Sequence, residues 1–199
     1  MRIISFLSMA TVGLVLAAPV HAADTQRVKE IVTGTCSLCH GLEGESSSPI
    51  FPRLAAQHPN YMVKQLKDFR EGRRKGSMNA MAADLKDDEI VALAAYFAAK
   101  PSRTSPPRDP EFAAVGKYIY GSGNRYSGVP SCASCHGPKA YGTEDLPRLA
   151  GQGAQYLEVQ LKEFNQRART NDNAVMHTIA SKLTELETAA VARYISSLE

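Results

Sequence analysis

Two short segments combine thiols and an imidazole at a fixed spacing. Residues 36–40 read Cys-Ser-Leu-Cys-His, and residues 132–136 read Cys-Ala-Ser-Cys-His. Two cysteines at this spacing can both form thioether bonds to one edge of a porphyrin, and the next histidine then lies under the ring with one nitrogen facing iron. The pattern predicts two covalently bound haem c groups. Their predicted thioether residues are Cys36, Cys39, Cys132 and Cys135, and their predicted proximal iron ligands are His40 and His136.

Other uses of paired cysteines fit the sequence less well. A thioredoxin-like dithiol would follow a strand inside a βαβ unit, and no such pattern surrounds either motif. A zinc site would bring both pairs to one metal, whereas each pair belongs to its own copy of an internal repeat. A pair of disulfides is the remaining alternative in an oxidising compartment.

The chain contains one unit written twice. Residues 52–57 (PRLAAQ) recur as 147–152 (PRLAGQ), and residues 65–69 (QLKDF) recur as 160–164 (QLKEF). The two cysteine motifs occupy the same place in each copy. We therefore predict two domains of similar structure, each holding one haem.

A proline-rich segment separates the copies. Residues 101–110 (PSRTSPPRDP) contain four prolines, which exclude a continuous helix and favour an extended connector. This places the domains at 24–100 and 111–199. Apolar residues at helical spacing precede each motif and recur near the end of each copy, with no sustained alternation of period two. The predicted fold class is all-α, with two tandem helical domains and 101–110 as the linker.

The beginning of the chain has the pattern of an export signal. Arg2 precedes an apolar stretch over residues 3–18, and a small-x-small sequence follows before Ala23. We predict a cleaved signal peptide at 1–22 and a periplasmic protein; an uncleaved membrane anchor is the alternative. The formal net charge of +3 is too small for the concentrated basic surface of a nucleic-acid-binding protein, so no nucleic acid is expected as a partner.

Methionine is the predicted second axial ligand of each haem iron. Met78 lies seven residues before Leu85, and Met176 lies seven residues before Leu183. Counting forward from the upstream tyrosines instead aligns Met81 with Met176, so Met81 remains an alternative to Met78. An iron with histidine and methionine ligands has no open position, and the chemistry that remains is the gain and loss of one electron.

Two further features concern the surroundings of the haems. The second ring nitrogen of His40 is expected to donate a hydrogen bond to a backbone carbonyl, for which Pro49 is the candidate. A run of basic residues is partly repeated, and it is either a solvated loop face or a surface for carboxylates of haem or of an acidic redox partner. The run consists of Arg70, Arg73, Arg74 and Lys75, and its echo consists of Arg167 and Arg169.

These motifs resemble those of the di-haem cytochromes c4. The resemblance covers nearly all of the chain after the signal peptide, and it includes residues 169–172 (RTND) before the second methionine. It implies two class I cytochrome c domains packed about a pseudo-twofold axis, with haem propionates close together at the interface. It also implies the axial pairs His40 with Met78 and His136 with Met176. The loop between His40 and Met78 is shorter than is usual in the family.

The resemblance further implies a function. Such proteins shuttle single electrons in the periplasm between respiratory partners, commonly toward a terminal oxidase of the cbb3 type. We therefore expect an electron carrier, not an enzyme, with a respiratory donor complex and a terminal oxidase as partners and with contact to membrane complexes at their periphery. One alternative is a haem enzyme acting on peroxide or a sulfur anion at an open or unusual haem site. Another is a cytochrome subunit of a larger oxidoreductase complex.

Overall fold

The computed structural model describes residues 25–104, 109–172 and 174–199. The predicted signal peptide at 1–22 lies outside the described residues, as does the middle of the predicted linker. All regular elements in the described parts are helical, apart from one isolated β-bridge between Asn124 and Val129. The predicted all-α class is thus confirmed. No helix among the described residues is long and apolar enough to span a bilayer.

The same series of helices occurs twice. The first half contains α1 (Thr25–Ile31), a π-helical turn (Val32–Cys36), α2 (Ser37–His40), α3 (Pro59–Arg70), α4 (Met78–Ala82) and α5 (Asp87–Ala98). The second half contains α6 (Pro110–Ser122), α7 (Ala133–His136), α8 (Ala154–Asn165), α9 (Val175–Ala180) and α10 (Glu185–Ser196). Helix α6 begins at Pro110, inside the predicted linker, because proline suits the first turn of a helix and Asp109 accepts a hydrogen bond from Phe112 N at 3.0 Å.

A buried glutamate ties the closing helix of each half to the element before the motif. Glu187 forms a capping box with Thr184 at the start of α10, and its carboxylate also accepts from Asn124 at 2.7 Å. Glu89 occupies the same place in α5 and accepts from Arg27 of α1 at 2.8 Å. Each glutamate therefore fixes both the start of the closing helix and the position of the segment that leads to the cysteines.

Each half has its own apolar core. In the first half the core joins α1, the π-helical turn, α3 and α5, and it consists of Val28, Ile31, Val32, Met62, Leu93, Ala94 and Phe97. In the second half it joins α6, α8 and α10 with the loops between them, and it consists of Ile119, Tyr120, Val129, Ala140, Ala150, Leu157, Val191, Ala192 and Ile195. Among the described residues, each core consists of side chains of its own half.

Gly116 allows α6 to cross α10 at close range. A Cβ atom at this position would overlap the backbone carbonyl of Ala190. We predict that Gly116→Ala lowers the free energy of unfolding by about 2–3 kcal/mol, measured by urea denaturation of the haem-loaded protein. Gly121 lies in the same helix with no atom within 4 Å of a built Cβ, so Gly121→Ala should instead raise stability by roughly 0.5–1 kcal/mol. Equal effects of the two substitutions would contradict this packing.

Candidate functional site

The cysteines of both motifs lie on short helical turns against the two cores. Cys36 ends the π-helical turn and packs against the first core, and Cys132 precedes α7 and packs against the second. No disulfide joins any two of the four cysteines. Burial raises the pKa of Cys36 and of Cys132 to about 11, whereas the reactive thiols of dithiol oxidoreductases have lowered pKa values.

The arrangement also fails to provide a zinc site. Within the described parts of the chain, no three His, Cys, Asp or Glu side chains gather closely enough to hold a metal ion. Each motif instead presents two thiols and one imidazole to its own half of the molecule. This separation suits one haem per motif.

The orientation of His40 fits a proximal iron ligand. Its ring is buried, and Nδ1 donates to the carbonyl oxygen of Pro52 at 2.9 Å. Since a carbonyl only accepts, Nδ1 carries the hydrogen and Nε2 keeps a lone pair for iron. Burial lowers the pKa of His40, and the Pro52 carbonyl partly offsets this. The prediction of Pro49 as the acceptor was wrong, because the loop turns at Ser46, which donates to Phe51 O at 2.9 Å.

His136 has an equivalent environment in the second half. Its Nδ1 atom is buried and makes no hydrogen bond of normal geometry. Burial lowers the pKa of His136, and the carbonyl of Pro147 is near enough to raise it in part. Pro147 corresponds to Pro52 in the repeated block, so the equivalent carbonyl lies beside each imidazole, although only His40 makes the hydrogen bond. The residues present in each half thus fit a covalently bound haem.

The helical register pairs Met78 with Met176. Met78 begins α4, and Met176 lies in the first turn of α9. The buried alanines that end these helices accept equivalent bonds: Leu85 N donates to Ala82 O at 3.1 Å, and Leu183 N donates to Ala180 O at 3.2 Å. Met78 lies four residues before Ala82, and Met176 lies four residues before Ala180.

The residue after each of these methionines gives an independent check of the register. Asn79 Nδ2 donates to Phe69 O at 2.6 Å, and His177 Nδ1 donates to Phe164 O at 2.9 Å. Phe69 and Phe164 are themselves equivalent in the repeat. Met81 is 49% exposed and lies three residues after Met78. The geometry therefore favours Met78 over Met81 as the distal residue of the first half.

Two glutamines join the halves reciprocally. Gln57 Nε2 donates to Arg148 O at 2.9 Å and its Oε1 accepts from Arg148 N at 2.8 Å. Gln152 makes the same pair of bonds with the backbone of Arg53, at 2.9 and 2.8 Å. Sequence reasoning missed this role, although the repetition of glutamine at the end of both PRLA blocks was a usable signal.

Two buried arginines form the centre of the interface. Arg74 donates to Gln160 Oε1 at 2.6 Å and to Tyr156 OH at 3.1 Å across the interface. Arg169 makes the reciprocal bond to Tyr61 OH at 2.9 Å and also pairs with Asp172. For these two arginines, the prediction of a solvated loop face was wrong. They are buried because the two halves pack against each other at this place.

The interface is symmetric only in part. Asp68 is buried, and it accepts from Lys64 at 2.6 Å, from Arg73 at 2.7 Å and from Asn171 of the other half at 2.7 Å. Burial alone would raise the pKa of Asp68, but these hydrogen bonds hold it below its ordinary value. Lys64 also reaches Asp172 at 2.9 Å. The RTND segment, residues 169–172, therefore binds the second half to α3 of the first.

Known families match both halves. The family model "Cytochrome C oxidase, cbb3-type, subunit III" matches residues 23–97, and the model "Cytochrome c" matches residues 113–199. Together with the repeated motif, these matches define a c-type electron-transfer cytochrome with two covalently bound haem c groups.

Relatives over the whole length narrow the class. Cytochrome c4 of Thiocapsa roseopersicina is 42% identical over 192 residues, covering 94% of this chain and 99% of the relative. The crystal structure of reduced recombinant cytochrome c4 from Pseudomonas stutzeri superposes with a TM-score of 0.81 at 33% identity, covering 88% of this chain and 99% of that one. The chain belongs to the cytochrome c4 family. The "Thiosulfate dehydrogenase electron acceptor" of Thiomonas intermedia is 35% identical over 198 residues, covering 96% of this chain and 89% of the relative.

Proposed function

We propose that this protein carries single electrons in the periplasm and that each half holds its haem through the residues of its own repeat. The proposed thioether residues are Cys36 and Cys39 in the first half and Cys132 and Cys135 in the second. The proposed axial pairs are His40 with Met78, and His136 with Met176. The observation that carries the proposal is the equivalence of the two halves around both the histidine and the methionine.

The chain's own residues then determine what the protein can do. When bound, the haems supply one-electron oxidation and reduction at iron. The carbonyl of Pro52 holds the imidazole of His40 in one tautomer, and Pro147 lies at the equivalent place beside His136. Met78 on α4 and Met176 on α9 would supply a thioether to each haem. If His40, Met78, His136 and Met176 bind iron, the haems would have no open position for peroxide or another substrate and would supply electron transfer alone.

The cellular role follows from export and from redox partners. With a signal peptide at 1–22, the protein would act in the periplasm and pass electrons between a respiratory donor and a terminal oxidase, touching membrane complexes at their periphery. The similarity to the Thiomonas intermedia protein favours a second candidate partner, a thiosulfate-oxidising dehydrogenase that donates electrons to this chain. In both cases this protein is the carrier and its partner performs the substrate chemistry.

Carbon monoxide binding separates a carrier from a haem enzyme. We expect the reduced, undenatured protein to bind less than about a tenth of an equivalent of carbon monoxide per chain, because methionine occupies both distal positions. An anaerobic titration on the same sample should give two one-electron equivalents per chain. Binding of one full equivalent of carbon monoxide would overturn the proposal and favour an enzyme with one open haem site.

A further inference from the structure

The segment that carries Met78 is fastened at its far end by side chains of α3. Arg70 Nη1 donates to Leu85 O at 2.8 Å, and Arg70 Nη2 donates to Asp87 Oδ1 at 2.6 Å. Lys67 Nζ donates to the other oxygen of Asp87 at 2.8 Å. We call these four residues the α3 clamp. It joins the last turn of α3 to the turn between α4 and α5. Helix α4 therefore lies between this clamp and the hydrogen bond from Asn79 to Phe69 O.

The described residues of the second half form no such clamp. Asn165 stands at the position of Arg70, and Glu185 stands at that of Asp87, while Lys162 is retained. These three side chains make no hydrogen bond with any residue that the structure describes, and asparagine lacks the guanidinium that bridges Leu85 and Asp87 in the first half. An open pocket of about 100 Å³ lies there, between α8, α9 and α10. Its lining consists of Leu161, Lys162, Asn165, Gln166, Ala180, Leu183, Glu185 and Thr188.

The remaining polar anchors of α9 do not replace the clamp. His177 is bonded to Phe164 O, as Asn79 is to Phe69 O, but Asn79 is also bonded to Arg74 O at 2.8 Å. Lys182 donates to a loop carbonyl at 3.1 Å just after α9, and this bond is exposed to solvent. The two methionine segments thus share one anchor and differ at the other end.

We propose that Arg70 is a positioning residue for Met78 and that Asn165 leaves Met176 without the equivalent support. Helix α9 therefore separates from α8 at lower free energy than α4 separates from α3. Met176 is then the distal residue that is released first when the protein is stressed by denaturant or by a competing ligand. This last step rests on the proposed function, whereas the difference in local opening does not.

Hydrogen exchange at two matched amides measures the local opening. Leu85 N and Leu183 N donate to equivalent carbonyls, so their protection factors in the haem-loaded protein can be compared directly. We expect the protection factor of Leu183 to be about fivefold lower, as loss of a charged hydrogen bond and a partly exposed ion pair implies. Arg70→Asn should lower that of Leu85 by a similar factor, and Asn165→Arg should raise that of Leu183. Arg70→Lys should fall between, and Lys75→Asn should change neither.

The far-red absorption band of methionine-ligated ferric haem tests the consequence. In the unsubstituted protein half of the band should disappear at a lower urea concentration than the other half, and Asn165→Arg should bring the two steps together. Equal protection of Leu85 and Leu183, or no effect of Arg70→Asn on Leu85, would overturn the inference. If the exchange pattern holds but the unsubstituted protein has no far-red band, the clamp is upheld and the proposed methionine ligation fails.

Discussion

Met176→Ala is expected to lower the reduction potential of one haem and to remove half of the far-red band. A thioether stabilises ferrous iron relative to the ligands that would replace it. We expect a fall on the order of 0.1 V, within the roughly 0.8 V that axial ligands span. Met78→Ala should produce the same change at the other haem. Potentiometric titration of the haem-loaded variants, with the absorption recorded at each step, provides both readouts.

Met81→Ala is the matched control for this experiment. Met81 lies on the same short helix as Met78, and its side chain is half exposed. We expect both potentials and the full far-red band to be retained in this variant. Loss of half the band in Met81→Ala, with Met78→Ala unaffected, would show that the alternative register is the correct one.

Arg169→Ala is expected to lower the free energy of unfolding by about 2–4 kcal/mol, because a partly buried carboxylate loses one of its two cations and buried acceptors lose their donor. Arg169 is 6% exposed, and it bonds Tyr61 across the interface and Asp172 within its own half. Without it, the Tyr61 hydroxyl loses its cationic partner and the Asp172 carboxylate keeps only Lys64 as a cation. Urea denaturation of the haem-loaded protein, followed by far-ultraviolet circular dichroism, measures the change.

The pseudo-symmetric partner Arg74 gives a graded comparison. Arg74 makes hydrogen bonds but no ion pair with a carboxylate among the described residues, so Arg74→Ala should cost less, about 1.5–3 kcal/mol. Exposed Lys75 stands next to it, and Lys75→Ala should stay within about 0.5 kcal/mol of the unsubstituted protein. A loss below about 1 kcal/mol for Arg169→Ala would mean that this network does not hold the halves together.

The repeat and the spacing of the motifs were sufficient to predict the helical class and the two haems. The Cys-x-x-Cys-His pattern specifies a local geometry that needs no long-range information, and the second copy excludes chance. The sequence left open whether Met78 or Met81 corresponds to Met176. The second copy has three more residues than the first between the matched tyrosine and the last helix. The buried alanines at the ends of α4 and α9 favour Met78, and their burial depends on tertiary packing.

Residue types alone did not predict the interface between the two halves. An arginine in a polar loop has the same local pattern whether it faces water or a second domain, and Arg74 and Arg169 are buried only because the halves meet there. The acceptor of His40 was assigned to Pro49 for a related reason. Which carbonyl faces the ring depends on how the loop turns at Ser46, and two prolines lie within reach in the sequence.

The most direct test of the two proposed axial pairs is an optical spectrum of the periplasmically expressed, haem-matured protein, recorded oxidised and reduced, with haem counted per chain. We expect two haems per chain, low-spin spectra in both states and a far-red band with the intensity of two methionine-ligated ferric irons. One haem per chain, a high-spin component or the absence of that band would contradict the assignment of His40 with Met78 and His136 with Met176.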